Sequence, residues 1–300
     1  MVWNWMIALY LFLAGMGAGA FVLSGIAGMA KKPCPKIKMI GFIAGPVCVA
    51  VGTLLLVVDA HAGLMNPLRF FYLVSNLGSV MAWGVIILTL FIVVAAIDAI
   101  IMVVKKSTPR VLDIIGMVLA VCVAAYTGVL LGDASVAFPL WHPIILPVLF
   151  LVSAASTGFA LVLVIAHGKA HDEIANIGFT VRSGMVLPVL EALLVIALLG
   201  TVAITGGSAA AAAKASVANL LTGGYALAFW VLFVIAGLAF PFVQALHKSM
   251  QAQKSLMQQP GLTIAGPVGV LIGCSLPRSL FAVAAIPAPS WSLSPPPPRR

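Results

Sequence analysis

The chain has 300 residues, of which 63% are hydrophobic and only 8% carry a charged side chain. Soluble domains have about 25% charged residues, so this composition excludes a soluble globular protein. The hydrophobic residues form long continuous runs, whereas the strands of a membrane β-barrel alternate apolar and polar residues. The sequence therefore predicts an all-α, polytopic integral membrane protein surrounded by lipid.

The net charge of +9 comes from lysines and arginines near the ends of the apolar runs. No basic groove with interleaved aromatic residues accompanies them, so nucleic acid is excluded as a partner. The four cysteines form no CxxC motif, and their spacing suits neither a zinc site nor an iron–sulfur cluster. No basic residue precedes the first apolar run, which predicts an uncleaved span rather than a secretory signal.

Eight apolar runs are long enough to cross a membrane, since a span needs roughly 20 mostly apolar residues. In chain order they cover about 5–30, 37–58, 78–104, 111–131, 143–166, 183–204, 225–246 and 264–286. The alanine-rich stretch 208–216 predicts either a short interfacial helix or a spacer. The runs form one transmembrane domain over 1–286, and the Pro-rich tail 287–300 is predicted to be disordered.

Positive charge alternates between the connections. Eleven lysines and arginines lie around the connections after the first, third, fifth and seventh spans, and five lie elsewhere. The positive-inside rule places the first group in the cytoplasm. Both termini are then predicted on the outer, periplasmic side of a bacterial inner membrane, as are the turns after the second and fourth spans.

These two outer turns concentrate the polar groups that chemistry can use. They lie in TLLLVVDAHAGLMNPLRFF (53–71) and AYTGVLLGDASVAFPLW (125–141). A lipid-soluble quinone needs an apolar slot with a few polar groups at its head, and a proton donor when it is reduced. The phenols of Tyr10 and Tyr126, with Asp59 and His61 nearby, are suited to this role. Tyrosine at such a depth also occurs simply in the interfacial aromatic belt.

Ionisable side chains inside spans are candidates for function because burying them is costly. Glu191 lies nine residues after Arg182, about 13 Å into the sixth span, and either relays protons or locks two helices together. Asp98 and Asp113 flank the basic turn after the third span, as proton carriers or as members of interfacial ion pairs. These four residues form a predicted proton path from the cytoplasmic side.

Metal-containing cofactors are not expected in this chain. A b-type haem needs two histidines on facing helices, and only His167 and His247 form a plausible pair. Both histidines end spans on the predicted cytoplasmic side rather than lying at mid-membrane. We therefore expect no haem, no iron–sulfur cluster and no bound metal.

The ordered motifs resemble the NrfD-type family, the membrane subunits of polysulfide reductases. The resemblance rests on NWMIALYLFLAGMGAGA in the first span, VVDAHAGLMNPLRFF after the second, AYTGVLLGDASVAFPLW around the fourth and FLVSAASTG in the fifth. In the seventh span it rests on Phe229, Trp230, Gly237 and Pro241. The resemblance covers most of the sequence and implies an eight-helix, haem-free subunit that interacts with quinone.

The resemblance also implies partners and site residues. The protein would exchange electrons between menaquinone, or a related quinone, and an iron–sulfur subunit docked on the outer face. A molybdopterin subunit, another redox catalytic subunit or a multihaem cytochrome would complete the complex. The quinone head would lie beside Tyr126 and Gly128 of the YTG motif, with Tyr10 where some relatives have histidine and Asp59 as the family's aspartate. The residues expected to face the partner are Arg69, Asp133, Trp141 and His142.

On this interpretation the protein is not catalytic alone, and it oxidises quinol or reduces quinone only within a complex. Two alternatives stay open. A secondary transporter would also suit Pro-interrupted spans and a mid-membrane glutamate. A passive anchor would tether an enzyme without binding quinone, and it predicts that Tyr126→Phe has no effect on quinol turnover.

Overall fold

A computed structural model describes residues 5–30, 34–59, 74–174, 180–253, 265–273 and 284–287. These residues form helices and connections, with no strand among them, which confirms the all-α class. The first five helices are α1 (Trp5–Met29), α2 (Pro35–Asp59), α3 (Val80–Lys105), α4 (Arg110–Asp133) and α5 (Ile145–Lys169). They are followed by α6 (His171–Ile174), α7 (Thr180–Ala203), α8 (Ala210–Leu221), a π-helical segment (Ala228–Ala239) and α9 (Phe240–Gln253).

Within the described ranges, seven helices are long and apolar enough to cross a membrane. They coincide with the first seven predicted spans to within a few residues. The eighth predicted span falls largely outside the described residues, which include 265–273 of it, as a helix, and 284–286. The alanine-rich stretch forms most of α8, so its short-helix alternative is the one the structure supports. The side of the membrane on which each terminus lies stays a prediction.

The first helix is the centre of the first half of the bundle. It packs against α2, α4 and α5, while α3 packs against α2 and α4. About 67% of the most apolar 18-residue stretch of α1 is buried inside the bundle. The corresponding share is 28% for α3 and for the span within α7. The second half is built on α7, which packs against α5, α8, α9 and the π-helical segment.

Large apolar side chains are exposed on the outside of this bundle, where they face lipid rather than water. On α3 alone, eight of them are between 44% and 73% exposed. They are Met81, Trp83, Leu90, Val93, Ile97, Ile100, Val103 and Val104.

Glycines allow the backbones of α1 and α5 to touch. A Cβ atom added at Gly19 would lie 1.8 Å from the carbonyl oxygen of Ala154. One added at Gly158 would lie 2.2 Å from the amide nitrogen of Ala20. Small residues permit such close approaches between helices in lipid, where van der Waals packing drives association. Gly19 of the first span and Gly158 of the fifth thus serve helix packing.

Replacing Gly158 with alanine is therefore expected to destabilise the protein by about 1–3 kcal/mol or more, because the added methyl overlaps the α1 backbone. Thermal unfolding in detergent and the amount of protein in the membrane would measure this. The matched control is Gly200→Ala on α7, where an added Cβ meets nothing within 4 Å. Equal unfolding temperatures for the two variants would contradict the close α1–α5 contact.

We call the end of the bundle where α1 and α5 end and α2 and α7 begin the basic end. There, both carboxylate oxygens of Glu173 in α6 accept hydrogen bonds from the first turn of α2, from the amides of Lys36 (3.2 Å) and Ile37 (3.1 Å). A carboxylate at this position satisfies otherwise unpaired amides and interacts favourably with the helix dipole. Glu173 thereby fastens the connection between α5 and α7 to the start of α2.

The thiol of Cys34 belongs to the same contact. Its Sγ–H donates to the backbone carbonyl of Glu173 at 3.8 Å, and the residue is buried. Burial raises the pKa of the Cys34 thiol, and the charge of Glu173 raises it further. Cys34 therefore stays a neutral thiol at physiological pH and acts as a small packing residue.

Candidate functional site

Two buried tyrosines lie near the end of the bundle opposite the basic end. Tyr10 on α1 is 1% exposed and Tyr126 on α4 is 8% exposed. Tyr10 lies five residues after the start of α1 and Tyr126 seven before the end of α4, roughly 8 and 10 Å along their helices. The helices that carry these tyrosines pack against each other. The structure thus has both tyrosines buried, at similar distances from the ends of two packed helices.

The ring of Tyr126 lies on a glycine of α3. A Cβ atom added at Gly84 would lie 1.8 Å from Cζ and 2.0 Å from the hydroxyl oxygen of Tyr126. The absence of a side chain at Gly84 is therefore what allows the phenol to occupy the space between α3 and α4. Sequence reasoning missed this residue, because a glycine in an apolar span carries no signal that separates this role from helix packing.

The hydroxyl of Tyr10 is buried and has no hydrogen-bond partner among the described residues. Leaving a buried hydroxyl unsatisfied costs roughly 1–3 kcal/mol, so such a group is available to a ligand. Across the described ranges, no three His, Cys, Asp or Glu side chains converge as metal ligands would. The arrangement around the two phenols suits an organic ligand that accepts hydrogen bonds.

Gly128 of the YTG motif points elsewhere. A Cβ added there would lie 2.4 Å from Cα of Pro147 at the start of α5. Two residues along a helix correspond to about 200° of rotation, so Gly128 lies on the opposite side of α4 from Tyr126. The structure gives Gly128 a helix-packing contact, in place of the expected position beside the tyrosine phenol.

The remaining residues predicted around the quinone head are only partly described. Asp59 is the last residue of α2, two turns beyond Gly52. At Gly52 the helix packs against α1, since an added Cβ would lie 3.3 Å from the carbonyl oxygen of Tyr10. The side chain of Asp59 lies outside the described residues, as do His61 and Arg69, so their roles stay predictions.

The turn between α4 and α5 was expected to present Trp141 to a partner, but the structure buries this side chain. Trp141 is fully buried and packs on Phe138, with ring centroids 4.2 Å apart. Trp141 is therefore a core residue of this protein and presents no surface to a partner. An interfacial aromatic and a buried one look alike in sequence, and the compact turn Ala134–Pro143 folds this ring inward.

His142 and Asp133 flank that turn. The Nδ1 atom of His142 accepts hydrogen bonds at 3.3 Å from the amides of Ile144 and Ile145, so it caps the start of α5. This side chain is half-buried, whereas Asp133 at the end of α4 is exposed. Among the described residues that were expected to face a partner, Asp133 carries the exposed charge.

At the basic end, three polar side chains from different segments form one network. Nζ of Lys38 lies 2.6 Å from Oδ2 of Asp113 and 2.7 Å from the hydroxyl of Thr108. The Thr108 hydroxyl donates in turn to the other oxygen of Asp113. Asp113 is 1% exposed, so this is a buried ion pair. Its cation comes from α2 and not from Lys105, Lys106 or Arg110 in the adjacent turn.

Aromatic rings extend from this network into the core. Nζ of Lys38 lies 5.1 Å from the ring centroid of Phe42, within the range of a cation–π interaction. Phe42 stacks on Phe21 at 4.3 Å, and Phe21 meets Phe91 edge-on at 5.5 Å. These contacts fix the head group of Lys38 between α1, α2 and α4.

Asp98 lies close to this network on α3. It is fully buried, and neither carboxyl oxygen has a hydrogen-bond partner among the described residues. A Cβ added at Gly116, three residues after Asp113, would lie 3.2 Å from Oδ2 of Asp98. The two acids therefore stand about one helical turn apart in depth, with Asp98 the deeper. The hydroxyl of Ser24 on α1 is also buried without a partner in the described part.

The other members of the predicted proton path lie on α7. Glu191 is 1% exposed, so its burial agrees with the depth inferred from sequence. Arg182 lies in the first turn of α7, but its side chain is not among those described. The predicted set did not include Lys38, Thr108 or Ser24. Lys38 was missed because a lysine at the start of a span was interpreted only as an orientation signal.

The sequence matches a known protein family along the helices described above. A sequence model described as "Polysulphide reductase, NrfD" matches residues 1–272, which include every helix of the bundle up to the stretch at 265–273. The chain belongs to the polysulphide reductase NrfD family. This confirms the resemblance drawn from the motifs. The protein is accordingly an integral protein of the bacterial inner membrane and a membrane subunit of a respiratory reductase complex.

Individual relatives of this NrfD-family protein have names of the same kind. It is 35% identical to the C subunit of polysulfide reductase from Wolinella succinogenes over 269 residues, which are 81% of this sequence and 82% of that protein. It is 28% identical to the NrfD homolog of Haemophilus influenzae over 279 residues, covering 81% and 83%. It is 34% identical to protein NrfD of Escherichia coli over 196 residues, covering 55% and 59%.

Proposed function

We propose that the protein binds menaquinone or a related quinone between α1, α3 and α4 and exchanges electrons with an iron–sulfur subunit of its complex. The observation that carries this proposal is the buried pair of Tyr10 and Tyr126. Two buried phenols, one of them without a partner in the described residues, suit the carbonyl oxygens of a quinone head.

The two phenols have distinct tasks in this proposal. Tyr126, held against Gly84, donates a hydrogen bond to one quinone carbonyl and orients the ring. Reduction of a quinone to a quinol takes two electrons and two protons, so each carbonyl oxygen must gain a proton. Tyr10 lies beside the slot as a second hydrogen-bond donor. Asp59 and His61, at and beyond the end of α2, are proposed to pass protons to and from the quinone head.

The proposed partner docks where these residues lie, at the end opposite the basic end, with exposed Asp133 as one contact. An iron–sulfur subunit there would bring its nearest cluster close to the quinone head. A molybdopterin subunit, another redox catalytic subunit or a multihaem cytochrome would then act on the terminal substrate. The name of the Wolinella relative suggests a polysulfide reductase as one such assembly.

Purification from native membranes in mild detergent tests this proposal. Iron analysis, molybdenum analysis, an optical spectrum and quinone extraction would be applied to the isolated complex. We expect abundant iron, cluster-like absorption and a bound quinone. A metal-free protein without partners, under conditions shown not to strip subunits, would instead favour the secondary transporter.

We also propose that the basic end supplies protons to the membrane interior during turnover. Asp113 would receive protons there and Asp98 would carry them deeper, with Arg182 and Glu191 completing the path on α7. The observation that supports this role is the carboxyl of Asp98, which is buried and has no hydrogen-bond partner in the described residues. Electrons would enter and leave at the opposite end, so that proton uptake at the basic end makes turnover electrogenic.

Asp98→Asn is therefore expected to keep most of the quinol turnover but to lower the membrane potential built per electron. The amide has nearly the same shape and carries no exchangeable acidic proton, so packing is retained while proton transfer is lost. Proteoliposomes with a potential-sensitive dye would measure this, with Glu191→Gln assayed in parallel. The control is Asp172→Asn, an acid of α6 that belongs neither to the proposed path nor to the proposed partner contact. An unchanged potential per electron in Asp98→Asn would contradict the path.

A further inference from the structure

A lateral cavity of about 510 Å³ lies between α1, α4, α5 and α7. Its floor is made of small residues that are almost completely buried, namely Ala18, Ala120 and Ala154, together with Gly19. Ser183, at its basic-end limit, carries the single polar side chain among the described lining residues. Such a lining does not hold water, because a buried water needs two to four polar partners.

The cavity opens toward the lipid. Its mouth is lined by large apolar side chains that are between 37% and 52% exposed, which are Ile26, Val121, Leu151 and Val186. In a membrane-spanning bundle these side chains contact hydrocarbon rather than water. A hydrocarbon tail can therefore enter sideways from the bilayer without desolvating any polar group.

This cavity is separate from the tyrosine pair. Ala124 lines the cavity, whereas Tyr126, two residues later and about 200° around α4, lies against Gly84 of α3. The cavity also extends toward the basic end as far as Ser183, while the tyrosines lie near the opposite end. It is thus not the continuation of the proposed quinone slot.

Positive charge stands where the cavity reaches the basic end. Arg110 is exposed and lies eleven residues before Val121, about three turns away on the same side of α4. Arg182 lies one turn before Val186 in α7 and directly before Ser183. Two arginine positions thus flank the end of an apolar, lipid-open cavity, which matches a molecule with a hydrocarbon tail and an anionic head.

We propose that an anionic phospholipid occupies this site. One acyl tail fills the cavity between α1, α4, α5 and α7, and the phosphate lies at the basic end near Arg110 and Arg182. The lipid would fill the lateral gap between the first half of the bundle and α7. This site is separate from the proposed quinone site. It shares Arg182 with the proposed proton path, and for this reason the test measures lipid retention rather than turnover.

Two sets of variants test the acyl-tail site and the head-group site. Ala155→Phe places a ring in the cavity from its α5 wall, where Ala155 is half-buried. Its matched control is Ala96→Phe, also half-buried but on α3 and outside the cavity lining. The double variant Arg110→Gln and Arg182→Gln removes the charges and leaves the cavity lining unchanged.

The full complex would be placed in nanodiscs containing equal amounts of phosphatidylglycerol and phosphatidylcholine, and then extracted in mild detergent. Native mass spectrometry counts the retained lipids. We expect wild type and Ala96→Phe to retain one phosphatidylglycerol that Ala155→Phe has lost. In the arginine double variant, the preference for phosphatidylglycerol over phosphatidylcholine should fall several-fold.

Three results would overturn the proposal. The first is equal phosphatidylglycerol retention in wild type and in both sets of variants. The second is a retained molecule that organic extraction identifies as quinone. The third is specific cross-linking of an Ala155→Cys variant to a partner subunit, which would place protein in the cavity. If Ala155→Phe fails to accumulate in the membrane, the proposal is judged from lipid retention in the arginine double variant and from the cross-linking experiment.

Discussion

Tyr126→Phe is expected to slow quinol turnover by the assembled complex by about 100-fold, the lower limit for losing one hydrogen-bond donor to an oxygen that gains negative charge. The phenylalanine ring can keep its place against Gly84, so the variant loses the hydroxyl and little else. Steady-state turnover with a menaquinol analogue would measure the loss. The matched control is Tyr225→Phe, a half-buried tyrosine at the start of the π-helical segment. Unchanged turnover in Tyr126→Phe would favour the passive anchor.

A second variant separates the hydroxyl from its position. Gly84→Ala leaves Tyr126 chemically intact, but the new methyl would stand where Cζ and the hydroxyl oxygen now lie. The phenol must move, so turnover should fall although the donor is still present. If Gly84→Ala retained full turnover while Tyr126→Phe lost it, the donor would act from a different position than the one described here.

The largest expected loss of stability follows from Lys38→Met, at about 3–5 kcal/mol, because it leaves the buried carboxylate of Asp113 without its cation. Thermal unfolding in detergent would measure the loss. The double variant Lys38→Met with Asp113→Asn removes both charges and should recover most of the stability. High salt should change the wild-type value little, because a buried pair is poorly screened. A double variant as unstable as Lys38→Met alone would contradict the ion pair.

Helix positions and the depth of key residues could be predicted from sequence because the lengths of apolar runs determine them. The outer ends of the first and fourth spans placed Tyr10 and Tyr126 at similar depth, and the structure has both residues buried on helices that pack against each other. The same reasoning placed Glu191 in the interior of its span, where it is buried. Each of these inferences needs only the rise per residue and the alternation of helix direction.

Contacts between distant segments could not be predicted in this way. Hydropathy gives no information about which helix faces which, so Gly84 as the seat of the Tyr126 ring and Lys38 as the partner of Asp113 were missed. Trp141 was expected at a surface because aromatic residues are common at membrane interfaces, yet its ring packs inward on Phe138. Gly128 was expected beside the quinone head, but it packs against Pro147, a contact that depends on the course of α5.

The capping of α2 by Glu173 has a consequence for biosynthesis. The bonded residues are 136 and 137 positions apart, and Glu173 follows α2 in the sequence. A ribosome adding roughly 5–20 residues per second needs about 7–27 seconds to cover that distance. For that interval the nascent α2 begins with unpaired amides at the membrane surface, and its final placement waits for the fifth span to enter the bilayer.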